Sequence, residues 1–401
     1  MNEIAVASDA KELLTLCRTG RLYDIEKWIA EGKPLEIPVS RNARKKALLE
    51  VAVETGFHSL VELIAKHENS QPSKNAALET AVSQSRLDLI ELLVANGAEI
   101  ISIPFADVLL NWEPKIIQFF LSHGADLVTG SPFAEAFGAK VRTALRPFLE
   151  CRRAHPELAA ALQEQLDCAL RHFCCKEDMK WVSLLIWAGG DVRSLGPCLN
   201  KDYTTDSECY TSALKEACYS GNVDVMKKLK PDAGRDDLSE LLHCAAISGK
   251  REALRYLLEI GANPTLKPSG GSTALDSALW RLSFGPLHRD GLLRSRYAVS
   301  DSLECIGELL AHGAVWNPEP YNLRSLRKTL LECEPEVTIE LLQLFRKHNA
   351  CPAELVHKLL GTSRMKEHLV SQTWHLSRLG LTLLEKGNPK QRHTGKCNPF
   401  G

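Results

Sequence analysis

Aromatic side chains are scarce in this sequence, at 6% of its 401 residues, and neither sign of charge dominates. Forty-nine basic residues stand against fifty acidic ones, which gives a formal net charge of −1. Long-range attraction to nucleic acid or to anionic lipid is therefore not a property of the whole molecule. No apolar run approaches the ~20 residues that a membrane-spanning helix needs. The sequence thus predicts neither a membrane nor a nucleic acid as partner, and leaves open only a local basic patch.

The N-terminus also lacks a basic segment followed by an apolar one, which predicts that no secretory signal is present. A cytoplasmic location is then expected, with the nucleus as the alternative. The thirteen cysteines include no C-x-x-C pair, and their odd number without a signal indicates reduced thiols rather than disulfides. A zinc site in the cysteine-rich stretch 168–218 is one interpretation, and small packing residues are the favoured one.

The residue spacings that enzymes commonly use are missing as well. The sequence contains no phosphate-binding G-x-x-x-x-G-K-[ST], no G-x-G-x-x-G, no H-E-x-x-H and no G-x-S-x-G. His123 and His312 each precede a glycine at a predicted helix end, where a histidine stabilises the last-turn carbonyls. The sequence therefore predicts a protein that is not an enzyme and has no catalytic residue, cofactor or metal ion.

What the sequence does contain is an internal repeat. Its clearest copy is 240–264, ELLHCAAISGKREALRYLLEIGANP, in which two apolar stripes at helical spacing flank Gly249. Gly261 then stands where a helix ends in a left-handed residue. Related segments recur along the chain, and the closing glycines of alternate copies, such as Gly32 and Gly97, are about two periods of ~33 residues apart.

The repeated segments resemble the ankyrin family. LLHCAAISG and STALDSAL are similar to the opening of an ankyrin repeat, and GADL, GGDV and GANP to the turn after its second helix. The resemblance covers roughly residues 11–350, although no copy contains an intact T-P-L-H-x-A-A. It implies an all-α fold, an ankyrin-like helix-turn-helix solenoid of about nine to ten units. A long insertion inside one repeat and C-terminal capping helices are expected in addition.

The expected units fall into two halves joined by a polar connector at 197–211. The N-terminal half, 11–196, is divided near 11–45, 46–74, 75–102, 103–131, 132–165 (degenerate) and 166–196. The C-terminal half, 212–350, is divided near 212–237, 238–269, 270–320 with an insertion at 282–300, and 322–350. A C-terminal cap is expected at 351–386 and a disordered tail at 387–401.

The alignment of the repeats also bears on the cysteines. Cys17, Cys174 and Cys218 fall at the second alanine of the family's A-A pair, a tightly packed position of the first helix, and Cys244 lies in the same helix of its own unit. Small apolar-tolerant thiols are ordinary packing residues there. They also belong to different repeats, so a shared metal ion is not expected.

The resemblance implies protein recognition, because stacked units leave an extended face on which variable side chains meet a partner. The predicted function is a non-catalytic scaffold or adaptor that binds one protein through the concave face and the loop tips. First-helix residues just before the break between helices are expected to be exposed. The candidate contacts at and beside these positions are Leu110, Asn111, Trp112, Lys176, Tyr219, Ile247, Trp280 and Arg281. Packing of the apolar ones on a neighbouring loop is the alternative interpretation.

The insertion at 282–300 suggests a second function. Arg289, Arg294 and Arg296 lie within it, beside a single acid, Asp290. A regulatory or sensor module that binds an acidic partner or nucleic acid through this insertion is the alternative to a scaffold, and a solvated loop between two longer helices is the structural alternative. Neither predicted function requires a second copy of the chain, so a monomer is expected.

Overall fold

The computed structural model describes residues 3–35, 46–199, 210–268, 272–284, 296–316 and 335–350. The chain divides into two compact units. Unit 1 comprises Met1–His172, Leu184–Gly190 and Gly196–Cys209, and unit 2 comprises Phe173–Ser183, Asp191–Leu195 and Tyr210–Gly401. Every helix and turn described below belongs to one of these units or, for the two helices at their boundary, contributes residues to both.

The helices of unit 1 come in pairs, each a first helix followed by a second. They are α1 (Glu3–Arg18) with α2 (Leu22–Ala30), α3 (Leu48–Thr55) with α4 (His58–His67), α5 (Gln71–Ser83) with α6 (Leu87–Ala95), α7 (Phe105–Leu110) with α8 (Pro114–Ser122), and α9 (Pro132–Gly138) with α10 (Leu145–Ala154). First helices pack on first helices, α1 on α3 and α3 on α5, whereas α4 packs on α2 and α6. This side-by-side stacking buries the apolar stripe of each pair against its neighbours.

Helices α11 (Ala159–Cys175) and α12 (Met179–Trp187) each contribute residues to both units. Unit 2 continues with α13 (Ala213–Ser220) and α14 (Val223–Leu229), α15 (Leu238–Ser248) and α16 (Arg251–Glu259), α17 (Ala274–Phe284) and α18 (Arg296–Ala311), and then α19 (Pro335–Lys347). Here α15 packs between α13 and α17, while α16 packs between α14 and α18.

All regular elements in the described parts of the chain are helices, so the predicted all-α helix-pair architecture is confirmed. The pair α9 and α10 lies inside the unit expected at 132–165, and α11 begins at Ala159, ahead of the expected unit start at 166. Residues 282–284 and 296–300, at the two ends of the expected insertion, lie in α17 and α18. The expected cap and tail, 351–401, and most of the expected connector lie outside the described residues.

The turn after several second helices shares one hydrogen-bonding pattern. Asp126 and Asn263, in GADL and GANP, each accept backbone N–H bonds from residues two or three further on, the Asp126 Oδ1 from Val128 and Thr129 at 2.9 and 3.0 Å. An Asp or Asn side chain in this role replaces the turn's own backbone bond. The similarity of these segments in sequence thus corresponds to a shared local structure.

The cysteines assigned to first helices are buried. Cys17, Cys174 and Cys218 are at most 1% exposed, and Cys244 is 2% exposed. Burial raises the pKa of the Cys17 thiol to about 12 and that of Cys244 to about 11, because the thiolate would lose its hydration. The described residues contain no group of three or more metal-ligating side chains. Within the same ranges, no helix combines the length and the apolar composition needed to cross a membrane.

Candidate partner-binding surface

Three apolar residues, two of them exposed and one half-buried, occupy equivalent positions on the adjacent first helices of unit 2. Each of them directly follows two buried residues, the pairs being 217–218, 245–246 and 278–279. The residues are Tyr219 on α13, Ile247 on α15 and Trp280 on α17, which we call the apolar row. Tyr219 is 39% exposed and Trp280 47%, while Ile247 is half-buried. Because α13, α15 and α17 pack side by side, the repeat brings these three predicted residues onto one surface.

Two long basic side chains lie across the helix ends beside this row. Gly221 and Gly249 end α13 and α15 in the left-handed conformation, with φ of +87° and +68°. A methyl group on Gly221 would lie 2.6 Å from Cδ of Lys250, and one on Gly249 would overlap the Nε of Arg281. Each basic residue therefore covers the glycine of the preceding helix pair, and the absence of a side chain at that glycine provides the space.

Arg281 is tied to the preceding helix by a hydrogen bond. Its Nη1 donates to the carbonyl oxygen of Ile247 at 3.2 Å, which satisfies an acceptor in the last turn of α15. Its Nε is buried and makes no hydrogen bond within the described ranges. The guanidinium is thus fixed next to the apolar row while part of its donor capacity is unused.

The carboxylates near the row are already engaged inside unit 2. Glu240 pairs with Lys215 at 2.6 Å, Glu177 accepts from Asn222 at 3.1 Å, and Asp276 accepts from the Thr273 hydroxyl at 2.8 Å. Neither Lys250 nor Arg281 lies within salt-bridge distance of a carboxylate in the described residues. Lys250 and Arg281 are therefore cations without a salt-bridge partner among the described residues, while Glu177 and Asp276, bound to neutral donors, keep their negative charges.

His243 lies one helical turn before Ile247 and links α15 to α17. Its Nδ1 is 2.7 Å from Oγ of Ser277, and that hydroxyl donates to the carbonyl oxygen of Thr273 at 3.0 Å. Which of the two atoms donates in the bond between Nδ1 and Ser277 Oγ is set by the tautomer of the ring, which also bonds the backbone of Ser272. Burial lowers the pKa of His243, because the imidazolium would be poorly solvated at this position.

The predicted site residues of unit 1 lie at the end of α7. Leu110 and Trp112 are 40% and 57% exposed. Asn111 between them is a structural link, because its Nδ2 donates to the carbonyl oxygen of Val82 and its Oδ1 accepts from Ser85 Oγ at 2.7 Å. Asn111 thus connects its helix pair to the preceding one.

Trp112 is conformationally unusual. Its φ of +67° places it in the left-handed region, where α1, α3, α13 and α15 are followed by glycine and α5, α9 and α11 by Ser85, Lys140 and Glu177. A bulky side chain is disfavoured there, and such strain is often associated with function. An exposed tryptophan in this conformation keeps Leu110 and Trp112 as candidate contacts of unit 1.

The remaining predicted site residues are Lys176 and the three arginines of the insertion. Lys176 is exposed at the end of α11, directly before Glu177, whose carboxylate accepts from Asn222. Arg289 and Arg294 lie outside the described residues. Arg296 is the first residue of α18, and its side chain is likewise outside them.

Sequence reasoning did not identify Lys250 or His243 as part of this surface. The available signal for Lys250 was its place directly after the break between the two helices, where Arg86 of unit 1 follows Ser85 and donates to the Gly56 carbonyl at 3.4 Å. His243 carried no comparable signal, because its partner Ser277 is contributed by the next repeat.

A cleft of about 450 Å³ lies in unit 1 between α8 and α10, and it contains both a cysteine and a histidine. Burial raises the pKa of the Cys151 thiol to about 11, and His155 is held by Glu157 at 3.0 Å. A protonated thiol is a poor nucleophile. Both residues also come from the same helix pair, so the cleft does not gather reactive groups from several repeats.

A protein-family model agrees with this architecture over part of unit 2. The family model of ankyrin repeats (many copies) matches residues 242–285, the segment that contains α15, α16 and α17. Among solved structures, the chain is similar to the ankyrin repeat domain of Bcl-3, described as a unique member of the IκB protein family. That likeness has 16% sequence identity and a TM-score of 0.28, and covers 66% of this chain and 91% of that one. No curated protein sequence matches the chain.

Residues 242–285 therefore carry ankyrin repeats, and the resemblance predicted from the helix-pair motifs is confirmed there. The match includes two of the three residues of the apolar row, Ile247 and Trp280. Ankyrin repeats generally mediate protein–protein interactions.

Proposed function

We propose that this protein is a non-catalytic scaffold or adaptor that binds a protein partner through the apolar row of unit 2. The observation that carries the proposal is the repetition itself. Three packed first helices present Tyr219, Ile247 and Trp280 at equivalent positions, with aromatic rings at both ends. Aromatic side chains that are partly exposed and rigidly mounted are the residues that most often dominate protein interfaces.

The test is an affinity capture from native lysate with the full chain as bait, comparing wild type with Tyr219→Ala/Trp280→Ala. We expect a protein that wild type retains and the double variant loses. The matched control is Tyr23→Ala/Trp187→Ala, which removes two aromatic side chains that are 82% and 70% exposed and lie outside the row. Circular-dichroism melts of both variants verify folding. Equal capture by wild type and the row variant would argue against this surface.

The basic insertion at 282–300 is the second candidate, and it remains a proposal on the grounds of its arginines. Arg281 directly precedes the insertion, and its side chain has no carboxylate partner in the described residues. Arg289→Gln/Arg294→Gln/Arg296→Gln separates the two proposals in the same capture. Binding driven by phosphates would also weaken steeply with salt, whereas binding to the apolar row would change little.

A further inference from the structure

We infer that the apolar row recognises an acidic segment of its partner, in which a carboxylate adjoins an aliphatic or aromatic side chain and is held by Arg281. This inference rests on the proposed function and specifies the chemistry of the partner. Its basis is a single juxtaposition: a guanidinium with unused donors that is bonded to the backbone of Ile247 and belongs to the residue after Trp280.

The guanidinium is ready to bind an acceptor before any partner arrives. Its stem lies over Gly249, and its Nη1 is held by the Ile247 carbonyl at 3.2 Å. Nε makes no hydrogen bond with any described residue but is buried, so the donors left for a partner are those of Nη2 and the second N–H of Nη1. A planar fork of donors whose position is already fixed loses little freedom on binding and matches the geometry of a carboxylate.

The surroundings favour a negatively charged ligand. Lys250 lies over Gly221 on the neighbouring pair, so two cations stand beside the row. The nearby carboxylates of Glu177, Glu240 and Asp276 each accept a hydrogen bond from a neighbour inside unit 2. Lys250 and Arg281 make no salt bridge within the described residues, so a carboxylate from outside can pair with them.

The apolar neighbours determine what stands beside the carboxylate. Arg281 follows Trp280 directly and contacts α15 at Ile247, so a partner that reaches the guanidinium covers both side chains. Covering them removes water and strengthens the charge interaction. A segment with an acidic residue next to an apolar one fits this arrangement. A nucleic acid strand fits it less well, because two cations do not form a track for a phosphate backbone.

The experiment uses a defined probe instead of an unknown partner. A phage-displayed library of random peptides is selected against the full chain, and enriched peptides are synthesised and measured by calorimetry. We expect Asp or Glu within two residues of an aromatic or aliphatic residue. Arg281→Gln should weaken these peptides about tenfold, which corresponds to ~1.4 kcal/mol. The control Lys228→Gln removes an exposed cation of α14 and should change the affinity less than twofold.

Exchanging the acidic residue of the peptide for its amide tests the same contact without altering the protein. The affinity of that peptide for wild type should fall about tenfold, and its affinity for Arg281→Gln should fall no further, because both changes remove the same interaction. Arg281→Lys, which keeps the charge and loses the fork, should fall between. Peptides that bind Arg281→Gln as tightly as wild type, or a library that yields no Arg281-dependent peptide, would overturn the inference.

The outcomes separate the inference from the proposed function. Peptides that need Trp280 and Tyr219 but tolerate Arg281→Gln would overturn the acidic specificity and leave the apolar row as a binding surface. Peptides indifferent to Trp280 and Tyr219 would count against the proposed function as well. If peptides bind only the Asp290→Asn variant, the insertion of the chain itself occupies Arg281. If a single-stranded oligonucleotide binds through Arg281 and peptides do not, the partner belongs to a different class. Either result would overturn the inference.

Discussion

Gly249 and Gly32 have nearly the same backbone conformation in different surroundings. Their φ angles are +68° and +69°, so a side chain at either position is strained. Around Gly32 there is nothing within 4 Å of an added Cβ, whereas at Gly249 the Cβ would overlap the guanidinium of Arg281. Comparing an alanine substitution at Gly32 with one at Gly249 therefore separates the free-energy cost of the left-handed backbone from the cost of steric overlap.

The first prediction concerns this pair. Gly32→Ala should lower the free energy of unfolding by about 1 kcal/mol, the cost of a left-handed alanine. Gly249→Ala should lower it by roughly 1–3 kcal/mol more, because Arg281 must leave its position and lose the bond to Ile247. Urea unfolding followed by circular dichroism measures both. In an Arg281→Ala background the Gly249→Ala loss should fall to the Gly32→Ala level, and equal losses in both backgrounds would show that Arg281 does not fill this space.

At the level of single residues, the sequence predicted what depends on the repeat and missed what depends on contacts between repeats. The exposure of Tyr219 and Trp280 follows from their place in the helix pair. The His312 Nδ1 lies 2.9 Å from the Glu308 carbonyl, as its position before a closing glycine predicted. Asn111, by contrast, was named as a contact residue, yet its amide is bound to Val82. That partner lies on the preceding helix pair, and side-chain reach across a pair boundary is not encoded in the period.

Adjacent first helices in unit 2 are joined by packing and, at one point, by a titratable hydrogen bond. His243 on α15 and Ser277 on α17 share a hydrogen bond of 2.7 Å. The groups that act on the charge of the ring are the Ser272 backbone and Glu240, which favour the protonated form, and Lys215 on α13, which opposes it. Burial has the largest effect and lowers the pKa of His243 below its ordinary value of 6.5.

The second prediction is the pH dependence that follows. The unfolded chain binds a proton at His243 near pH 6.5, and the folded chain binds it only at lower pH. Stability from the neutral ring is therefore complete above about pH 6.5 and is lost as pH falls through that value towards the folded pKa. His243→Gln should make the loss of unfolding free energy between pH 7.5 and 5.5 smaller than in wild type. Urea unfolding at both values measures it, with exposed His58→Gln as control, and an unchanged pH dependence would contradict the sign.

Whole helices were predicted best where a glycine closes them. Gly97, Gly124 and Gly261 follow α6, α8 and α16 within two residues, all with positive φ. The start of α11 at Ala159 was not foreseen, because the run from Ala159 to Leu166 consists mostly of strong helix formers and contains no break that would separate two units. The ordered helices on both sides of the insertion extend further than expected for the same reason, since no proline or closing glycine ends α17 before Phe284.

On the scale of the whole chain, stability comes from contacts between neighbouring pairs. In α16, Ala253, Leu254 and Leu257 are fully buried, and this helix packs on both α14 and α18. No helix pair covers its own stripe, so each interface supports two pairs at once. Damage at one interface should therefore spread to the adjoining pairs and decrease with distance along the array.

The third prediction tests this with Leu257→Asp. A carboxylate at a position with no exposure must be protonated or must open the interface, and we expect a loss of more than about 4 kcal/mol. Hydrogen exchange should show lost protection in α13–α18 together, whereas α3–α6 of unit 1 retain theirs. The control is Glu259→Asp, an exposed change on the same helix. A melt equal to that of wild type would show that Leu257 does not lie in a repeat interface. Uniform loss of protection along the whole chain would show instead that the repeats unfold as one cooperative body, because nearest-neighbour coupling predicts a gradient with distance from α16.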